Sequence, residues 1–468
     1  MLKKFIGDKK FYRNVFAIAV PIMLQNGITT FVGLLDNIMV GQLGTEQMSG
    51  VAISNQLIFI FNLFLFGALS GAGIFTAQFF GRDDTEGMRH TFRYKWIISI
   101  IILTIVLVIL GIFKEPLIWS FLNGDNSSGN LELAAGFGQE YLLIMFIGLV
   151  PYTISQIYSS TLRETGETFT PMIASTIAVI TNAILNYILI FGKLGFPVMG
   201  VAGAAIATVI SRFVECGYVL SWTHRHASTN KFIIGAYKTF KIPGYLVKTI
   251  TIKGTPLAIN EFLWAIGISI LAQCYSTRGM DAVAGYNIAS TITNLFNIVF
   301  MALGSSVGII IGRLLGAGKL EEARETDTKL IFTSVVACFF MGTIMFLVAP
   351  LIPEIYNTSN ATKEIAKDMM KISAIYMPVH AYLHASYFTL RSGGKTFITF
   401  LFDSAFVMCI CVPVALLISR LTDIPIVPMY AICVSLDLIK CVVGTILLKK
   451  GIWLNNIVEE FDRGVAAE

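Results

Sequence analysis

The chain has 468 residues, 55% of them hydrophobic and only 13% charged, with a mean hydropathy of +0.73. Soluble domains carry about 25% charged residues, so this chain cannot cover a water-facing surface of its size. The composition excludes a soluble globular domain, and the net charge of +5 carries no signal for nucleic acid.

A membrane-crossing helix needs about 20 apolar residues. Twelve such stretches recur, near 14–39, 52–80, 94–113, 138–161, 169–191, 199–222, 250–275, 285–312, 329–351, 369–390, 397–418 and 427–448. No ten-residue alternation of the outer-membrane-barrel kind is present, so the reading is an all-α, polytopic helical bundle. The basic start, MLKKFIGDKKFYRN, runs into the first span without an A-x-A-like site. That span is too long for a signal-peptide core and is expected to be retained. Within it, FVGLLDNIMVG carries one acid, Asp36. A carboxylate in hydrocarbon is costly unless it is protonated, paired or facing water, so Asp36 is the strongest site candidate.

Span five offers Asn182 and Asn186, one helical turn apart and so on one face, followed by Tyr187. Span six offers Thr208. Neutral oxygens plus one carboxylate suit either a hard-cation cage or a hydrogen-bond shell around a proton-accepting Asp36. Arg212 and Glu215 in span six, and Asp437 and Lys440 in span twelve, are neighbours of opposite charge at i, i+3 and read as structural pairs. Glu261 lies in span seven, five residues after Pro256. His380 and His384 share a face of span ten but lack the H-E-x-x-H glutamate, so packing or cavity lining is expected there and no metal site. A proton-sensitive pair of Glu261 with His380 is a further expectation. Asp403 in span eleven has no local partner of opposite charge in the sequence and is a secondary candidate for a substrate or coupling site, with Glu261, His380 and Tyr187. The seven cysteines fall in apolar segments without C-x-x-C spacing and read as small buried hydrophobes.

Orientation follows from lysine and arginine. With twelve spans both termini share a side, and that side collects 25 of the 34 basic residues while the opposite loops hold seven. The positive-inside rule places both termini in the cytoplasm of a multi-pass cell-membrane protein.

The chain is also written twice. At an offset of 235, residues 21–89 align without gaps on 256–324: Pro21 meets Pro256, Gly44 meets Gly279, Gly50 meets Gly285, Ser70 meets Ser305, Gly73 meets Gly308 and Gly81 meets Gly316. A second echo sets LRETGETF at 162 against LRSGGKTF at 390. The expected architecture is therefore two pseudo-symmetric six-helix lobes, 1–222 and 250–468, joined by a basic linker, 223–249. An even number of spans per half makes them parallel repeats, and rocking such halves opens a cleft to alternate sides. The acids are not part of the duplicated pattern, because Asp36 falls on Leu271, Glu261 on Asn26 and Asp403 on Ser175.

AVPIMLQNGITTFVGLLDNIMVGQLG, the doubled six-span layout, MGVAGAAIATVISR and VAGYNIASTITNLFNIVFMALGSSVGIIIGRLLGAGKLEEA together resemble the multidrug and toxic compound extrusion (MATE) transporters over essentially the whole chain. The resemblance implies a V-shaped bundle and secondary antiport, in which a cation, H+ or Na+, moves inward while an organic, often cationic, compound moves out. It implies cation coupling at Asp36, with positions such as Asn182, Asn186 and Thr208 around it. Some members have an acid where this chain has Asn186, and one branch has an acid near His380, so this chain departs from the pattern at both places. No cofactor, no nucleic-acid partner and a monomer in the bilayer are expected. With 17 Met and 35 Phe, an adaptable apolar cavity is expected, where aromatics can hold a cation. The alternatives are a lipid-linked precursor flippase of the same superfamily and, from another class, an intramembrane enzyme. No G-x-S-x-G, paired catalytic acids or P-loop favours an enzyme or an ATP-driven pump.

Overall fold

The computed structural model describes residues 4–122 and 130–459. It is all-α among these residues, with twelve long helices: α1 Lys9–Gly41, α2 Thr45–Gly81, α3 Thr85–Leu122, α4 Leu131–Glu164, α5 Phe169–Phe191, α6 Gly200–Arg225, α7 Gly244–Ser276, α8 Met280–Gly316, α9 Leu320–Val348, α10 Asn360–Ser392, α11 Thr396–Leu421 and α12 Ile426–Lys449. Eleven are long and apolar enough to cross a membrane. The exception is α10, whose 33 residues mix Tyr, His, Ser and Pro with apolar ones. Protein covers much of it, since Met369, Met370, Met377, Ala381 and Leu390 are all buried. Large apolar side chains on other helices, such as Ile112 on α3 and Leu347 on α9, remain exposed, as lipid-facing positions do.

The repeat is realised to the residue. Helices α1 and α7 each have 33 residues, and α2 and α8 each have 37. Their starts and ends keep the offset of 235. The turns explain several repeat identities. Gly44 and Gly279 sit before α2 and α8 with φ of +140° and +99°, a region that only glycine enters freely. Asn130 caps α4 by accepting from the amides of Glu132 and Leu133, and Ser359 caps α10 by accepting from Thr362 N.

By contacts the chain divides into two units that cut across the repeat. One unit comprises residues up to Met23, Ala77–Asp84 and Lys248 onward. Its centre is α10, packed against α8, α9 and α12. Val15 and Ala19 from α1 share its core with Leu303, Val307, Leu315 and the buried Trp453. The other unit comprises Leu24–Thr76 and Thr85–Val247, with α6 packed on α4 and α5. The region expected to be a linker folds back onto this unit. Arg93 donates to the carbonyls of Ala236 (2.9 Å) and Gly235 (3.0 Å), and Phe232 and Tyr237 pack on Phe92. The 125–130 loop lies outside the described residues except for Asn130.

Candidate cation-coupling site

Asp36 lies one turn from the end of α1, and α5 and α6 bring the partners. The 3.6-residue period sets Asn182 and Asn186 on the buried face of α5, at 4% and 1% exposure, while Asp36 is half-buried. Asn186 Nδ2 donates to Asp36 Oδ1 at 2.6 Å. It also faces Asn182 Oδ1 at 3.2 Å, and Asn182 Nδ2 meets Thr208 Oγ1 at 3.1 Å. The Asn182 amide is better satisfied when rotated. Its Nδ2 then donates to both Asp36 oxygens at 2.9 and 3.0 Å, and its Oδ1 accepts from Thr208 at 3.1 Å. The carboxylate thus takes amide donors from two turns of one helix, while the buried Asn186 Oδ1 has no hydrogen-bond partner. A buried acceptor left open beside a carboxylate is a ready ligand for a hard cation.

The structure places the four residues expected from the sequence side by side, and adds Tyr141 on α4, which the sequence does not mark. Its buried hydroxyl lies against Thr208 and Asn55. No charge or spacing marks a tyrosine in an apolar helix, so only packing identifies it. Tyr187, expected nearby, points elsewhere. It is 54% exposed and its ring meets Phe191, because one residue along a helix turns the side chain by about 100°. Arg212 and Glu215 form the expected pair at 3.2 Å, and the guanidinium lies 4.7 Å over the Tyr152 ring.

The other unit holds a second polar cluster with a wiring that differs from expectation. Asp403 is not isolated: Lys440 Nζ donates to its Oδ1 at 3.2 Å and Asn260 Nδ2 to its Oδ2 at 3.1 Å. The same lysine stands 3.8 Å from Asp437, whose other oxygen is 3.3 Å from His380 Nε2. His380 therefore has Asp437 as its partner, and the expected pair with Glu261 gives way to this one. Glu261 sits instead in the field of Arg391 and Asp403. His384 packs on Phe300 and Tyr387 as expected for a packing residue. Asp403 lies in a π-helical segment, Leu401–Ala405, followed by a second at Val407–Cys411. Such widened turns re-aim side chains, and here Ser404 N donates to Asn260 Oδ1 while Ser404 Oγ donates to Asn260 O. One signal could have located Lys440. At the 228-residue offset of the two LR motifs it falls on Arg212, so each half carries a cation at the same place, buried at Lys440 and partly exposed at Arg212.

A family model described as MatE matches residues 21–188 and 256–417. A probable multidrug resistance protein NorM from Thermotoga maritima is 28% identical over 391 residues, covering 82% of this chain and 80% of that protein. The multidrug resistance protein MdtK of Photorhabdus laumondii is 25% identical, covering 78% of each chain. A crystal structure of a MATE in complex with MaL6 superposes with a TM-score of 0.83 at 19% identity, over 96% of this chain and 98% of that one.

Proposed function

The chain belongs to the MatE family, and from that premise we propose that it is a secondary antiporter. It exports small organic compounds, often cationic, in exchange for an inward-moving proton or sodium ion. Relatives named for multidrug resistance support the substrate class. The observation that carries the mechanism is the single carboxylate of Asp36 set against two buried asparagines on α5.

An antiporter needs a group whose affinity for the cation differs between its two access states, since a ligand bound equally in both shifts nothing. Asp36 suits this role. Burial disfavours its ionised form, and a bound proton or sodium ion offsets that cost. The amides hold the carboxylate in place, and the open Asn186 oxygen supplies a further ligand when a cation enters. Small changes in how α1 meets α5 then change the affinity. Pro21 inside α1 removes one backbone donor and lets the helix bend.

The test is Asp36→Asn, which keeps the shape and cannot ionise. Gradient-driven efflux in inverted vesicles is expected to disappear while expression and insertion stay at wild-type level. Asn186→Ala removes a neutral amide and its open Oδ1 but not the charge, so gradient-driven efflux should weaken less than in Asp36→Asn and coupling should persist. Wild-type efflux from well-expressed Asp36→Asn would transfer the coupling role to Glu261.

A further inference from the structure

The ends of α2 and α8 cross with backbone against backbone. A Cβ added at Gly81 would overlap the carbonyl of Arg313, and one added at Gly316 would overlap the carbonyl of Gln78. At the repeat offset of 235, Gln78 falls on Arg313 and Gly81 on Gly316. The two contacts are therefore each other's images. Between them, a Cβ at Gly312 would stand 3.0 Å from the Cβ of Ala77, and those two residues are images of one another. In an isologous interface a residue meets its own copy only at the two-fold axis. The crossing is thus an isologous interface inside a single chain, with a local pseudo-two-fold axis running between Ala77 and Gly312.

One side chain is added to this crossing that the repeat does not duplicate. Gln78 is fully buried. Its Nε2 donates to the carbonyls of Ser392 (2.9 Å) and Asn455 (3.3 Å), and its Oε1 accepts from Ile457 N at 2.8 Å. It ties α2 to the end of α10 and to the segment after α12. That segment is itself anchored by the buried Trp453, against whose carbonyl Gly393 packs so closely that a Cβ would overlap it. By contrast, the image of Gln78 is Arg313, whose guanidinium lies 4.8 Å over the Phe80 ring.

We propose that this crossing is a reversible latch: Gly81, Gly316 and Gln78 hold the cytoplasmic ends of α2 and α8 together in one access state and release them in the other. The proposal rests on the antiport reading above and goes beyond it by naming the contact that must break. Its chemistry suits release. Small residues give a close but shallow contact that can separate without leaving a large cavity. Gln78 is neutral, so its three hydrogen bonds can be exchanged for water without stranding a charge. Repeat symmetry gives both halves the same share of the glycine contacts, and Gln78 adds the one-sided hydrogen bonds that must break on release.

The test joins the axis residues. Ala77→Cys with Gly312→Cys brings two thiols to nearly the Cβ spacing a disulfide spans, about 3.5–4.5 Å, after a small backbone adjustment. Oxidation of the double variant should crosslink it and lower efflux by about tenfold or more, because a chain held in one state cannot alternate. Reductant should restore transport, and neither single variant should respond to oxidant. As a second arm, Gln78→Ala in the Gly312→Cys background should raise labelling by a cytoplasmic thiol reagent by about tenfold. Failure to crosslink, undiminished efflux in the crosslinked protein, or unchanged labelling would overturn the latch. A wild-type chain without cation-driven efflux would overturn the antiport reading instead, and the crosslinking and labelling arms would still report on the contact.

Discussion

His380 and Asp437 meet at 3.3 Å, and Asp437 and Asp403 share the ammonium of Lys440. Residues in one ion-pair network are energetically coupled, whereas those without shared partners add. His380→Ala and Asp437→Asn are therefore expected to be non-additive in thermal stability, with a coupling of about 0.5–3 kcal/mol. His380→Ala combined with Glu261→Gln is expected to be additive within about 0.5 kcal/mol. A double-mutant cycle by thermal unfolding in detergent checks both statements, and the reverse pattern would reinstate the Glu261–His380 pair. The histidine has an acid as partner in either case. Helix phase alone could not say which, because the choice depends on how α7 and α12 are placed around α10.

Gly50 and Gly285 are repeat images on α2 and α8, and each marks a helix crossing. A Cβ at Gly50 would stand 2.7 Å from Gly138 N on α4, beside the carbonyl of Ala134. One at Gly285 would stand 2.6 Å from Ile365 Cγ2 on α10 and 3.2 Å from the carbonyl of Thr362. The nearest neighbours differ in kind, backbone in one half and the Ile365 side chain, with its Cβ at 2.9 Å, in the other. A side chain gives way more easily than a helix carbonyl. Gly50→Ala is accordingly expected to cost more than Gly285→Ala, at the upper end of the roughly 1–3 kcal/mol range for overpacking. Melting of the two purified variants ranks them, and an equal or inverted ranking would contradict the crossing geometry. Ser54 Oγ reinforces the α2–α4 contact by donating to the Gly138 carbonyl at 2.8 Å.

At the scale of the whole molecule, twelve long helices and the excess of basic residues on one side carry a topological expectation. The segment between α6 and α7 belongs to the basic side, and the turn between α5 and α6 to the other. Cysteines placed at Tyr237 or Phe240, both partly exposed, should react with an impermeant thiol reagent only in inside-out vesicles. Val198→Cys, at a position 72% exposed, should react only in right-side-out ones. Labelling of both from the same face would rule out the twelve-span topology. Seven native cysteines lie in the chain, five of them buried, so the parent chain serves as the background control.

Composition, the 20-residue periodicity of apolar runs and the 235-residue echo determined the all-α bundle, its twelve long helices and their doubling. These follow from the bilayer's demand for internally satisfied backbone and from chain-local propensity, and local signals are written in local sequence. The Asp36–Asn182–Asn186–Thr208 site was legible for the same reason, since a costly acid and a one-turn amide spacing stand out in an apolar background. Tertiary structure alone decided the rest. Tyr141 carries no mark until α4 packs beside α6. Asp403 looks solitary until α12 brings Lys440 to it from 37 positions away. The contact units cut across the repeat because the start of α1 and the end of α2 pack with the second half. Each of these depends on which helices become neighbours, and that is settled by the summed burial of many apolar side chains, which no single spacing records.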